Sequence, residues 1–351
     1  MTKMIDNHWH IFFPEKIDTS VEQAEQIVKE LNIDKIALLS YPYVHQPEQD
    51  LDVLENLKAL YVKDKISIPA YAYAGFTHYS DDSKENADFM QFMMEMGFDG
   101  WKSAEMHPRL HKQIQRGLND VSFEKTLSYI EEHGIPVVLH LGDPIAHWDS
   151  EKVTQWEREN GRFYDETYPS LEQLYDEMEE VLQTHPKLKV ALAHFYFVSD
   201  DYQRAVHMME TYENVYMDLT PGKEMFVNFS KEPERWREFF IRYSKKIIMG
   251  SDLYTAGYGI NRFELVRRFL ESDEPFVMEP WKETFVPFHL PKDVLEDIYV
   301  NNAERMSSVN PKPVDREKAY TYCMYIAERY ADELTDIGRE NLQTFMDYWR
   351  D

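Results

Sequence analysis

Short apolar or β-branched runs alternate with longer segments of helical period along this chain, eight of each, and no other feature constrains its fold as strongly. The strand-like runs fall at 4–10, 35–39, 66–74, 100–102, 135–140, 188–194, 215–219 and 246–252. Between them lie helical stretches near 20–31, 84–96, 121–133, 170–184, 200–212 and 233–244, and Leu51, Leu54, Leu57 and Leu60 recur at helical spacing as well. Thr19 or Ser20 can cap the first helix, while Gly97 and Gly134 sit where two others should stop. The run Ile135-Pro136-Val137-Val138-Leu139 is almost continuously apolar, as a strand covered on both faces must be. Eight βα units in succession predict an α/β fold in which a parallel sheet closes into a (β/α)8 TIM barrel.

Two segments depart from the alternation. The connection from Leu141 to Pro169 is too long for a tight turn and carries Trp148, Trp156, Phe163 and Tyr164, which predicts a lid or binding loop. From about Pro291 the chain reads as helices: Leu295, Ile298, Tyr299, Ala303 and Met306 form one stripe. After Asn310-Pro311-Lys312-Pro313, a second stretch runs from Val314 towards Trp349, with Tyr320, Cys323, Ile326, Tyr330 and Leu334 on one side. The expected division is a catalytic barrel over 1–309 and a C-terminal helical extension over 310–351, packed on the barrel or on a partner subunit.

Of 351 residues, 43% are hydrophobic, with 23 Tyr, 20 Phe and 7 Trp, which is enough for a large core and excludes a disordered chain. A formal charge of −26 repels phosphate backbones and anionic lipid, so neither nucleic acid nor a membrane surface is an expected partner. The single cysteine, Cys323, rules out an intramolecular disulfide and a thiolate metal cage. With no basic-then-apolar leader and no bilayer-length run, a soluble cytoplasmic protein acting on a small molecule is expected, and a homo-oligomer stays open.

In such barrels the active site lies at the C-terminal ends of the strands, which gives the polar residues there a common address. His8 and His10 end the first strand two residues apart, so an extended backbone offers both imidazoles from one face. Lys102 on strand four, His140 on five, His194 on six and Asp252 on eight open on the same mouth. Asp6 is placed to orient ligands or to bond neighbouring strands.

The run Ile5-Asp6-Asn7-His8-Trp9-His10, the strand-end His140 and His194, and Gly250-Ser251-Asp252 resemble the signature of the amidohydrolase superfamily. More narrowly, they resemble the amidohydrolase 2 branch, which includes aminocarboxymuconate semialdehyde decarboxylase, resorcylate decarboxylases and pyrone dicarboxylate lactonase. Asn302-Ala303-Glu304-Arg305-Met306 resembles the helix that closes the barrel there. The resemblance implies that His8, His10, His140 and Asp252 bind one divalent metal, most often zinc, with His194 beside it. Imidazole nitrogens and a carboxylate suit Zn²⁺ or Mn²⁺, and a catalytic site keeps a position open for water, whose pKa falls to about 7 on the metal. Asp252 then accepts a proton as water attacks, and His194 hydrogen-bonds the substrate or its oxyanion.

Some superfamily members carry a carbamylated lysine on strand four that bridges two metals. Here Lys102 reads instead as a cation for a substrate carboxylate or as half of a structural ion pair, with His107 and Arg109 just beyond it. Where several decarboxylases have small glycine-containing turns after the strand-six histidine, this chain has Phe195-Tyr196-Phe197. Bulky rings there narrow the pocket, and Tyr196 is expected to contact substrate. Tyr43, Trp148 and Tyr254 are expected to overhang the mouth. The expected activity is metal-dependent hydrolysis of a small ester, lactone or amide, with decarboxylation of an unsaturated or aromatic acid as the alternative.

Overall fold

The computed structural model describes residues 3–11, 16–42, 52–254, 257, 259–279 and 281–350; Tyr43 lies outside them. The strands are β1 (Ile5–His10), β2 (Lys35–Leu39), β3 (Ala70–Ala74), β4 (Gly100–Met106), β5 (Val137–Leu141), β6 (Val190–Leu192), β7 (Val215–Asp218), β8 (Ile247–Ile248) and β9 (Leu253–Tyr254). They form one sheet in the order β8-β7-β6-β5-β4-β3-β2-β1-β9, with every pair parallel.

β8 and β9 are two ends of one barrel strand. β8 pairs with β7 on one side, β9 pairs with β1 on the other, and the Asn7 amide donates to the Met249 carbonyl at 3.0 Å between them. The barrel therefore closes through a strand whose middle, Met249 to Asp252, is free of regular pairing. That interruption puts Asp252 in a left-handed conformation (φ 56°), a geometry that non-glycine residues adopt mainly where neighbours enforce it.

Ile5, Ala37, Leu39, Tyr71, Val138, Ala191 and Ile248 pack together inside the barrel, capped from below by Ala303 and Met306. The closing helix Asn302–Met306 is held there because the Asn302 side-chain Nδ2 donates to the Ile247 carbonyl at 2.7 Å. Trp9, Ile36, Leu38 and Trp101 belong instead to the larger core between strands and helices. Ile5 and Trp9 have the same parity but lie in different cores. The break in β1–β2 register between Asp6 and Trp9 accounts for the change, since an inserted residue exchanges the two faces of a strand.

Several elements differ from expectation. The segment beyond β4 contains a helix, Pro108–Ile114, because His107 caps it and Pro108 occupies its first turn. The Leu141–Pro169 connection holds a 3₁₀ turn, Ile145–Trp148, and a short helix, Gln155–Glu159, begun by a Thr154/Glu157 capping box. Helices Lys223–Phe229 and Ile260–Glu271 and an antiparallel hairpin of Phe276–Met278 with Glu283–Phe285 add to the eight units. The C-terminal stretch is two helices, Arg316–Tyr330 and Asp336–Arg350.

Those two helices cover the helices that follow β1, β2 and β3. Phe345 lies 5.2 Å from Tyr61, ring to ring, the Asn341 side-chain Oδ1 accepts from the Ile17 amide at 2.9 Å, and the Asp315 amide donates to the Met96 carbonyl. Gly97 ends the helix Ser83–Met96 at φ 114°. A Cβ there would stand 2.5 Å from the Pro313 carbonyl oxygen, so the absence of a side chain lets the extension dock. Among the described residues, no helix is long and apolar enough to cross a membrane.

Candidate metal centre at the barrel mouth

β1 brings His8 and His10 to the mouth with each ring fixed by its Nδ1. The His8 Nδ1 lies 2.7 Å from Asp218 Oδ2 and 2.8 Å from Thr220 Oγ1, and the His10 Nδ1 lies 2.9 Å from the Leu39 carbonyl. A carbonyl only accepts, so the His10 proton sits on Nδ1 and its Nε2 carries the lone pair. Asp218 imposes the same tautomer on His8. Both Nε2 atoms then face Asp252 Oδ1, at 3.9 Å from His8 and 3.5 Å from His10, while Arg262 bonds the other carboxylate oxygen.

The ligand atoms of His8, His10 and Asp252 lie within 4.8 Å of one another. Two neutral imidazoles with outward lone pairs and one carboxylate, each with its far side hydrogen-bonded, is a donor set that fits a divalent cation. Burial, reinforced by the neighbouring Lys102 charge, holds His8 well below the ordinary histidine range, and burial with the adjacent His8 does the same for His10. Both rings are thus uncharged at neutral pH, the form that binds metal.

Gly250 makes this arrangement possible. A Cβ at that position would fall 2.1 Å from Asp218 Oδ1 and 2.9 Å from the His8 Cβ, so any side chain would push Asp218 off His8. The neighbouring Ser251 donates from its amide (3.0 Å) and its hydroxyl to the two oxygens of Asp6. Asp6 therefore ties β1 to the interrupted strand, and burial lifts its carboxyl to about 7.

Lys102 is fully buried, with Nζ 3.4 Å from His8 Nε2. Desolvation brings it down to about 8, against the pull of Asp218, Asp252 and Glu105. His194 lines the same cavity, its ring 5.8 Å from His8 and 4.7 Å from His140, and burial lowers its pKa.

His140, His107 and Arg109 also line the cavity, but His140 does not join the first trio. Its Nε2 lies 3.0 Å from the Gly142 carbonyl, and its ligand atoms group with His107 and Asp143. The Arg109 amide donates to the His107 Nδ1 at 3.2 Å, so His107 carries its proton on Nε2, which faces Asp143 Oδ2 at 3.3 Å. Tyr164 donates to the same carboxylate. Burial alone would raise the Asp143 pKa, but His107 and His147 hold it well below the carboxylate range.

Tyr196 is corrected. His194 to Phe197 all have φ between 54° and 58°, a left-handed turn in which residues three apart share a face. His194 and Phe197 both line the cavity, their rings stacked 5.1 Å apart. Tyr196 points into the core against Tyr175, 4.8 Å away, and its carbonyl accepts from the Tyr175 hydroxyl. Tyr254 does reach the mouth, whereas Trp148 anchors the base of the long connection by donating to the Pro169 carbonyl at 2.9 Å.

The mouth opens into a cavity of about 810 Å³. Strand-end reasoning did not single out Asp143 and Arg262 on its wall, nor Asp218, which bonds His8. Asp218 carries a signal, an acid ending a barrel strand. Arg262 carries none, since it lies on a helix beyond the last strand.

Solved structures of the same architecture include an uncharacterised TIM-barrel protein from Bordetella bronchiseptica (12% identity, TM-score 0.57, covering 87% of this chain and 98% of that one). Another is a probable 2-pyrone-4,6-dicarboxylic acid hydrolase from Acinetobacter baumannii with citric acid bound (14%, 0.51, 87% and 98%). A third is a dihydroxybenzoic acid decarboxylase from a Polaromonas species with bound manganese and the inhibitor 2-nitroresorcinol (11%, 0.52, 87% and 97%). Likenesses this distant carry the barrel fold alone. No curated protein shows significant similarity to the chain. The sequence model of a family described as Amidohydrolase matches residues 53–306, which takes in the strand ends bearing Lys102, His140, His194 and Asp252, and by that match the chain belongs to the amidohydrolase family.

Proposed function

We propose that the protein is a metal-dependent hydrolase of a small ester, lactone or amide that carries a carboxylate. The observation that carries this reading is the convergence of His8 Nε2, His10 Nε2 and Asp252 Oδ1, each backed by a bond on its far side. His8, His10 and Asp252 would hold one divalent ion, Zn²⁺ or Mn²⁺, with His140 as the fourth candidate ligand. When bound, that ion supplies Lewis acidity towards water and a substrate oxygen.

The chain's own groups do the rest. Asp252 Oδ1 accepts the proton of the attacking water while Arg262 fixes the carboxylate. His194, neutral and opposite, donates to the oxygen on which charge develops. Lys102 and Arg109 give the carboxylate of the substrate a cationic seat. Phe197, stacked on His194, narrows the space beside the reacting centre and favours compact substrates.

The runner-up is decarboxylation of an unsaturated or aromatic acid on the same residues, favoured by the cations in the cavity and by the structural neighbour named as a dihydroxybenzoic acid decarboxylase. Turnover of a panel of lactones and esters, with CO₂ release followed on aromatic acids, separates the two. Elemental analysis of a His8→Ala/His10→Ala variant tests the centre: metal content should fall from near one equivalent to background, and an unchanged content would remove the site assignment.

A further inference from the structure

The segment between β5 and the helix Leu171–Thr184 supplies a large part of the cavity wall and is fastened mainly at its base, with the ion pair from Glu157 to His147, at 3.5 Å, reaching the tip. At the base, Trp148 bonds Pro169, the Tyr164 amide donates to the His147 carbonyl at 2.9 Å, and the Tyr164 hydroxyl bonds Asp143. Between residues 149 and 163 only Val153 is buried. Few apolar contacts oppose a displacement of such a tip, whereas its base is pinned by rings and hydrogen bonds.

At that tip stands Trp156, 59% exposed although it lines the cavity. It is the one exposed tryptophan among the described residues. The Arg162 guanidinium, also on the cavity wall, lies 5.3 Å from its ring centroid. An indole left in water beside a guanidinium offers a flat apolar face and a positive charge side by side. Tyr254 and Trp281 provide aromatic surface on other parts of the wall.

We infer that residues 149–163 form a lid whose Trp156 and Arg162 bind the outer end of the substrate, selecting a planar conjugated anion. Closure would bury the indole against the flat face of the ligand and pair its outer anionic group with Arg162, and the saturated analogue of the same charge would lose the stacking contact. This rests on the reading of the mouth as the substrate pocket and adds a specificity device that the metal centre itself does not provide.

Calorimetric titration of terephthalate and of trans-cyclohexane-1,4-dicarboxylate into the metal-loaded full chain tests it, because each carries one carboxylate for the inner cations and one for Arg162 and only the first is planar. The planar acid should bind, and Trp156→Ala and Arg162→Ala should each weaken it about tenfold or more. Trp156→Phe and Arg162→Lys should recover most and part of that loss respectively. The saturated dicarboxylate should bind more weakly and be indifferent to Trp156→Ala. Equal affinities in wild type and Trp156→Ala would overturn the proposal, and so would no binding of the planar acid to wild type. Metal content and melting temperature, measured on the same samples, should match wild type in all four variants, because these side chains are exposed. Failure of the lid is thereby distinguished from failure of the metal centre, which would appear as absent metal.

Discussion

His8 and His10 differ in what holds their Nδ1 atoms: a carboxylate for one and a backbone carbonyl for the other. The carboxylate matters more to a bound cation, because its charge raises the basicity of the ligating nitrogen as well as orienting the ring. Asp218→Asn should therefore weaken metal binding by about 10- to 100-fold while all the ligands remain. Competition with a chelator of known affinity measures it, and an unchanged dissociation constant would reduce Asp218 to a packing residue. Away from the mouth, Glu177 accepts from His111 at 2.9 Å and from Gln173. Burial alone would raise its pKa, but these bonds outweigh burial and leave it below the ordinary glutamate range. A depressed carboxyl adds stability above its unfolded pKa, and that stability is lost as pH falls through the folded value. Glu177→Gln should accordingly flatten the fall in melting temperature below about pH 4.5, and parallel acid limbs in the two proteins would count against it. His8, His10, Lys102, His194 and Asp252 are legible from sequence because strand ends share one address. The bond from His8 to Asp218 spans 210 positions, and no local pattern in either segment announces it.

Among the elements, the turn from His194 to Phe197 is the least expected. Four consecutive non-glycine residues with positive φ cost on the order of 1–2 kcal/mol each. Phe195 offsets part of this by entering a nest of rings, 5.0 Å from Phe229 and 5.7 Å from Trp236. Phe197 is only half-buried and has less packing to set against its strain. Phe197→Gly should thus melt close to or above wild type, and Phe197→Val, whose branched Cβ tolerates φ > 0 poorly, well below it, the two differing by at least about 2 kcal/mol. Equal melting temperatures would show that the turn is not strained. The eight-unit alternation is readable because buried strands and amphipathic helices have different periods. The early end of strand six is not, because its residues keep the apolar character of a strand and only their dihedral angles depart from it. The helix Pro108–Ile114 hides for a different reason, since its cap is a histidine rather than the usual small polar residue.

Across the whole molecule, the C-terminal helices are the part whose removal is most informative. Ile326, Leu342, Phe345 and Trp349 are all buried, and at about 1.5–3 kcal/mol for each such side chain their loss equals a large share of the 5–15 kcal/mol that typically holds a folded chain together. Deleting residues 314–351 should lower the melting temperature sharply and raise binding of a hydrophobic dye, and a truncated chain that melts with the full-length protein would show that the extension is an accessory. Gly97, Pro313 and Asp315 mark where the extension meets the helix Ser83–Met96.

That contact has a temporal side. A ribosome delivers the N-terminal βα units first, and the helices after β1, β2 and β3 are the ones that Phe345, Asn341 and Asp315 later cover. The barrel also lacks its closing strand until Met249 can accept from Asn7. The opening third of the chain must therefore wait, with its apolar flank uncovered, until the helices Arg316–Tyr330 and Asp336–Arg350 have followed it, so its completion comes later than that of the barrel strands.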